Sequence, residues 1–214
     1  MKLGSVALIL DLDGTLLDSK PGILESFGCA VKSVFPGVAL DLAKVPVGPP
    51  IRQLSKAVFP DLAESDLERL AKAYRAHYDS EGCLKTRLYE GAREVLSRCV
   101  EGGRTLDVAT NKPLRITTAM LSRFKIDGFF RSVAAVDSIQ PPFAGKTEII
   151  RHLLKSHRMD VARTVYVGDT AEDAAAARTC GIGFIWAAYG YGRLEGGEPI
   201  LRTINTLAEL GELL

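Results

Sequence analysis

The segment SVALILDLD, residues 5–13, is aliphatic and β-branched with no polar alternation. A strand with one solvated face alternates apolar and polar residues, whereas a strand covered on both faces does not. The segment therefore asks for a parallel sheet with helices on either side. Three later segments repeat the theme: TLDVAT (Thr105–Thr110), RTVYVGD (Arg163–Asp169) and GIGFIWAA (Gly181–Ala188). RSVAAVD (Arg131–Asp137) is a further candidate. Helical spacing lies between them, with Ile116, Met120, Leu121 and Phe124 in one stretch and Ile149, Ile150, Leu153 and Leu154 in another. TAEDAAAARTCG is Ala-rich and ends on Gly181, a natural residue to follow a helix. Strands alternating with helices predict an α/β fold, a Rossmann-like doubly wound parallel sheet.

The stretch from Ser19 to Leu88 breaks this rhythm. GILESFGCAVKSVF, IRQLSKAVF and ESDLERLAKAYRAHY read as amphipathic helices, and Pro49-Pro50 punctuates the loop before the second. Ser65 or Glu64 opens the third. An all-helical insert after the first strand predicts a second, small helical domain. The expected division is 1–18 with 89–214 as the α/β core, and 19–88 as the helical domain. A chain of 214 residues is long enough for both.

Composition excludes several classes. The net charge of +1 offers no broad field for nucleic acid. Cys29, Cys83, Cys99 and Cys180 are widely spaced, with no C-x-x-C pair and no zinc-type grouping with the three histidines. They read as reduced, mostly buried thiols. The first apolar run is broken by Asp11 and Asp13, too early for a signal-peptide core, and no apolar stretch reaches membrane-spanning length. The expectation is a soluble cytoplasmic protein with no nucleic-acid or membrane partner. Nothing in the sequence indicates an oligomeric state.

Ligands of open α/β sheets bind at the carboxyl ends of the strands. The residues placed there are Asp11 and Asp13, Thr110 and Asn111, and Asp169 and Asp173, with Lys146 opening a helix and Lys112 nearby. Each motif has an ordinary structural explanation when taken alone. DLDGTLLD carries the Asp-Gly pair of a hairpin. GDTAED can be a helix N-terminus capped by Asp169 or Thr170, and Lys146 a solvated helix-start lysine. The joint pattern argues otherwise, because complementary groups arrive in order at one rim. Carboxylates gathered there repel unless a cation sits among them, and oxygen-only donors suit Mg²⁺. A phosphoryl group needs positive charge, a hydroxyl and free backbone N–H groups. Gly14 lets the backbone come close. Asp11 can act as a nucleophile, and Asp13 can give and take the proton.

DLDGTLLD, VATNK, GKTEII and GDTAED resemble, in order, the four motifs of the haloacid dehalogenase superfamily. The likeness is closest to its phosphoglycolate phosphatase-like branch and covers almost the whole chain, helical insert included. The resemblance implies that Asp11 is the nucleophile and Asp13 the acid/base, with the Asp13 main-chain carbonyl also a metal ligand. Thr110, with Asn111 beside it, and Lys146 would hold the phosphoryl oxygens. Asp169 would bind Mg²⁺ directly and Asp173 would support it through a water, so the metal set is Asp11, Asp13, Asp169 and Asp173. Dehalogenating members usually lack the second aspartate, so Asp13 favours phosphoryl transfer. Lys146 is not followed by the proline many relatives carry, which leaves Lys112 as the alternative third-motif lysine. AAYGYGR resembles a Gly-Tyr-Gly loop of the branch with Tyr189 in place of tryptophan, and reads as a surface loop with no catalytic task.

The helical insert would act as a cap that closes over the core and selects the substrate, hinged near Asp18–Lys20 and Lys85–Tyr89. Arg52, in VGPPIRQL, is a candidate specificity residue for a carboxylate or second phosphate, although a solvated helix-start arginine is the plainer explanation. The three histidines, His77, His152 and His157, read as partly exposed helix residues. The function expected is Mg²⁺-dependent hydrolysis of a small phosphorylated metabolite, phosphoglycolate-like, through an aspartyl-phosphate. A sugar phosphomutase using the same intermediate is the alternative, and a non-catalytic binding protein is a third reading.

Overall fold

Strand β1 (Ala7–Leu10) carries Leu8, Ile9 and Leu10, and all three are fully enclosed. Successive side chains of a strand point to opposite faces, so both faces of β1 are covered, as its lack of alternation requires. The computed structural model describes residues 7–194 and 196–213; Ser5 and Val6 of the expected first strand lie outside them.

In chain order the further elements are β2 (Leu17–Asp18), α1 (Lys20–Val34), α2 (Ile51–Val58), α3 (Glu64–Ser80), β3 (Arg87–Leu88), α4 (Ala92–Glu101), β4 (Leu106–Thr110), α5 (Leu114–Arg123), β5 (Ser132–Ala135), α6 (Lys146–Ser156), β6 (Thr164–Gly168), α7 (Ala171–Cys180), β7 (Gly183–Ala187), β8 (Arg202–Ile204) and α8 (Leu207–Glu212). The chain forms two compact units, Met1–Leu17 with Leu88–Leu214, and Asp18–Arg87.

The larger unit is built on a six-stranded sheet in the order β5-β4-β1-β6-β7-β8, parallel throughout. The chain steps outward from β1 through β4 to β5, then returns to the other side of β1 and steps outward through β6, β7 and β8. The order therefore reverses between β1 and β6, which makes their carboxyl ends the crevice of the sheet. On one face Ile9, Ala109, Tyr166 and Phe184 pack against Ile149, Ile150 and Leu153 of α6 and Ala174 and Ala177 of α7. The alanines of α7 present small side chains to this layer. Truncating Ile150 to Ala would cost about 2–5 kcal/mol.

Four elements escaped the sequence reading: β2 and β3 are two residues each, too short to show a pattern, and β3 falls in the stretch read as all-helical. β8 is a three-residue edge strand of which only Ile204 is buried, so it carries no aliphatic run. Helix α8 spans six residues, too few to show a period. Gly181 takes the left-handed conformation at the end of α7, φ 70°, as its position predicts.

The smaller unit is helical. Ser26 Oγ on α1 hydrogen-bonds His77 Nδ1 on α3 at 3.0 Å. Arg52, on α2, is ion-paired by its guanidinium to both Glu64 and Glu68 of α3. Among the described residues none of the four cysteines is in a disulfide; Cys83 and Cys99 are buried, Cys180 is partly buried and Cys29 is exposed. Among the described residues, too, no helix is long and apolar enough to cross a membrane.

Candidate active site

Asp11 follows β1 and extends its ladder by one bond, its N–H donating to Val167 O at 2.9 Å. The next residues do not form a hairpin. The Leu12 carbonyl accepts from the N–H groups of Leu16 and Leu17, both at 2.9 Å, which curls the segment back on itself. Gly14 sits in this turn at φ 83°, and a Cβ there would lie 2.3 Å from Asp169 Oδ2. Only glycine lets the turn approach that carboxylate so closely.

The turn separates its two aspartates by giving each a lysine. Lys146 Nζ, at the first position of α6, lies 2.7 Å from Asp11 Oδ2. Lys112 Nζ lies 2.8 and 3.0 Å from the two oxygens of Asp13. Both lysines are buried. The alternatives Lys146 and Lys112 are thus both present at the rim on different partners, and Lys146 is the one joined to Asp11. This also changes the reason a cation is called for. Repulsion between Asp11 and Asp13 is answered by two ammonium groups, and Asp13 stays outside the carboxylate cluster. That cluster is Asp11, Asp169 and Asp173, which each bring one carboxylate oxygen within 4.8 Å of the others', all three residues being buried.

Asp173 is held on every side. Its Oδ1 accepts from Lys146 Nζ at 2.7 Å and Tyr166 OH at 2.9 Å. Its Oδ2 accepts from the Thr170 hydroxyl at 2.7 Å and from the backbone N–H groups of Thr170 and Asp169 at 3.0 and 3.2 Å. Thr170 Oγ1 in turn accepts from the Asp173 N–H, completing a capping box at the start of α7. Helix capping and site assembly are therefore the same set of bonds. Burial raises the Asp173 pKa, but the Lys146 charge and the hydrogen bonds from Lys146 and Thr170 outweigh it and hold the carboxyl below the usual range.

Asp11 and Asp169 are the opposite case. Each has a buried oxygen, Oδ1, without a hydrogen-bond partner. Burial first, and neighbouring carboxylates second, push Asp11 up to about 8 despite Lys146. Burial and Asp173 push Asp169 up to about 7. Burial opposes the Lys146 charge, but Asp11 and Asp173 overcome it and hold the ammonium above its ordinary value. Unpartnered carboxylate oxygens in a buried, oxygen-only cluster fit a small hard dication such as Mg²⁺. Asp11 Oδ1 and Asp169 Oδ1 are the atoms open to it, and the saturated oxygens of Asp173 suit a supporting place.

The remaining candidates sit as follows. Thr110 is buried at the end of β4, and its Oγ1 accepts from the Lys112 N–H at 3.2 Å. The Asn111 amide donates to both Glu172 oxygens, at 3.1 and 3.2 Å. Arg52 is engaged by Glu64 and Glu68 inside the helical unit. Tyr166 was missed in the sequence, though a phenol within an aliphatic strand, TVYVG, is the signal that could have found it. Its hydroxyl accepts from Lys146 at 2.9 Å. The YGYG loop after β7, read as an idle surface loop, touches Asp169 directly: the Tyr191 N–H donates to Asp169 Oδ2 at 2.7 Å.

Comparison with known proteins converges on one family. The haloacid dehalogenase-like hydrolase profile matches residues 8–187. The tyrosine-protein kinase PtkA of Mycobacterium tuberculosis is 34% identical over 202 residues, covering 94% of this chain and 68% of that protein. Its solved structure superposes with a TM-score of 0.81 and 32% identity, over 97% of each chain. A phosphoglycolate phosphatase of Agrobacterium fabrum is 30% identical, over 86% of this chain and 80% of its own. A 5'-nucleotidase of Pseudomonas aeruginosa is also 30% identical, over 86% and 83%.

Proposed function

The chain belongs to the haloacid dehalogenase-like hydrolase family and is one of its phosphatases, and from that premise we propose that it hydrolyses a small phosphorylated metabolite in the cytoplasm, with Mg²⁺, through a phosphorylated Asp11. The observation that carries this reading is the buried cluster itself: Asp11, Asp169 and Asp173 with one oxygen each within 4.8 Å of the others', one lysine shared by Asp11 and Asp173, and two carboxylate oxygens left without partners.

In this reading Asp13 starts protonated on an oxygen released from Lys112; an Asp11 oxygen attacks phosphorus, the ester P–O bond breaks, and Asp13 gives that proton to the departing oxygen. Asp13 then takes a proton from water, whose oxygen attacks the same phosphorus. The bond to Asp11 breaks, releasing inorganic phosphate and restoring the carboxylate. Lys112 keeps Asp13 aimed, and Lys146 fixes Asp11 and balances charge on the phosphoryl oxygens. Thr110 and Asn111 line the same strand end, whereas the Gly14 and Thr15 N–H groups, expected to be free for phosphate, are taken by Leu17 O at 2.8 Å and Leu12 O at 3.3 Å. Mg²⁺ bound by Asp11, Asp169 and the Asp13 carbonyl would neutralise the phosphoryl charge and orient it for attack. Residues 19–88 would be the cap, and Arg52 a specificity residue if substrate draws it from its glutamates.

The phosphoglycolate phosphatase and 5'-nucleotidase relatives favour phosphoglycolate-like monoesters and nucleoside monophosphates as first substrates to try. The test is phosphate release from a panel of such esters with Mg²⁺. EDTA should abolish turnover and added Mg²⁺ restore it; metal-independent hydrolysis would refute the reading. The relative named tyrosine-protein kinase supports a second reading, in which a tyrosine hydroxyl replaces water as acceptor. Phosphotyrosine in place of free phosphate would mark it.

A further inference from the structure

Three consecutive carbonyls of the turn that follows Asp13 are taken by tyrosines. Thr15 O accepts from Tyr189 OH at 2.7 Å, Leu16 O from the Tyr89 N–H at 3.0 Å, and Leu17 O from Tyr191 OH at 3.2 Å. The Tyr89 ring stands edge-on to Tyr189, centroids 4.9 Å apart. The same loop grips Asp169 from its other side. The Tyr191 and Gly192 N–H groups donate to Asp169 Oδ2 at 2.7 and 3.4 Å. Trp186 Nε1 on β7 donates to the Asp169 carbonyl at 3.0 Å.

The glycines are what make this contact possible. A Cβ at Gly190 would lie 2.3 Å from Asp169 Cβ and 2.5 Å from both Asp169 Oδ2 and Gly14 O. A Cβ at Gly192 would lie 2.5 Å from Asp169 O. These atoms are backbone or a buried carboxylate and cannot step aside. The spacing YGYG thus alternates a ring that reaches the Asp11 turn with a residue that must have no side chain.

We propose that Tyr189–Gly192 is a strap that sets the position of Asp169 relative to the Asp11 turn, and so sets the affinity of the site for its divalent cation. Tyr189, Gly190, Tyr191 and Gly192 are positioning residues and do not touch the cation. By occupying Asp169 Oδ2 with two N–H donors, the strap leaves Oδ1 as the free oxygen. Groups that orient a metal's carboxylate ligands act through this kind of bond. The proposal rests on the divalent-cation reading of the cluster.

The test is Mg²⁺ binding by titration calorimetry, alongside thermal unfolding without metal, for wild type, Gly190→Ala, Tyr189→Phe and Tyr191→Phe. Gly190→Ala should weaken Mg²⁺ binding by about 10-fold or more. Each phenylalanine variant keeps its ring, loses one tie to the turn, and should weaken binding measurably while remaining folded. If wild type binds Mg²⁺ and all folded variants bind it equally tightly, the strap is structural only and the proposal is wrong. Variants that unfold earlier yet bind Mg²⁺ unchanged would overturn it in the same way. If wild type itself fails to bind Mg²⁺, the cation reading falls and the strap's role falls with it.

Discussion

Lys146 Nζ lies 2.7 Å from Asp11 Oδ2, and the same ammonium lies 2.7 Å from Asp173 Oδ1. One buried charge therefore joins the end of β1 to the first turn of α7. With Tyr166 OH as a third acceptor at 2.9 Å, all three of its donors are used. Losing it would leave two buried carboxylates facing each other, a costly arrangement. Lys146→Met is expected to lower kcat by about 10²–10³-fold. Steady-state kinetics at saturating Mg²⁺ checks this; a kcat within a few-fold of wild type would contradict it.

Asp13 depends on a different lysine. Lys112 contacts both its oxygens and is buried beside it. Lys112→Met should lower kcat while leaving Mg²⁺ affinity close to wild type, because the Asp13 carboxylate stands outside the cluster of Asp11, Asp169 and Asp173. Calorimetry and kinetics on the same preparation separate the two effects. Equal losses in both would place Asp13's side chain in the metal site.

The acidity of the cluster predicts how metal-free stability varies with pH. Burial pushes Asp11 up to about 8 and Asp169 up to about 7, from the ordinary 3.8. Between those limits the folded chain holds protons that the unfolded chain has released. Stability from these groups is then full below 3.8 and is lost as pH rises through about 7 and 8. The unfolding temperature of metal-free protein should fall across that window. Mg²⁺ competes with these protons, so its stabilising effect should be larger at the top of the window than at the bottom. Metal-free stability that climbs through the window would contradict the burial of these charges.

Much of this architecture was legible because strong local signals and the fold agreed. Aliphatic runs without alternation located β1, β4, β6 and β7, and the rule that ligands bind at strand ends brought Asp11, Thr110 and Asp169 to one rim. Pairing was not legible. Nothing in spacing says that Lys112 reaches Asp13 and Lys146 reaches Asp11, because one lysine follows β4, the other opens α6, and their partners are fixed by tertiary packing. The Tyr189–Gly192 loop stayed obscure for a related reason. Its glycines look like turn residues until Asp169 is seen behind them. Tyr166 hid within its strand because its ring packs in the core, and only its hydroxyl belongs to the site.

The central claim is that Asp11 is the group that receives the phosphoryl. Burial already holds its carboxyl well above the ordinary range, so an amide of the same shape fits the site without a new unpaired charge. Asp11→Asn is expected to unfold at a temperature near that of wild type. With a phosphate monoester and Mg²⁺ present, phosphate release by this variant should fall to background. Release at the wild-type rate by folded Asp11→Asn would contradict the account.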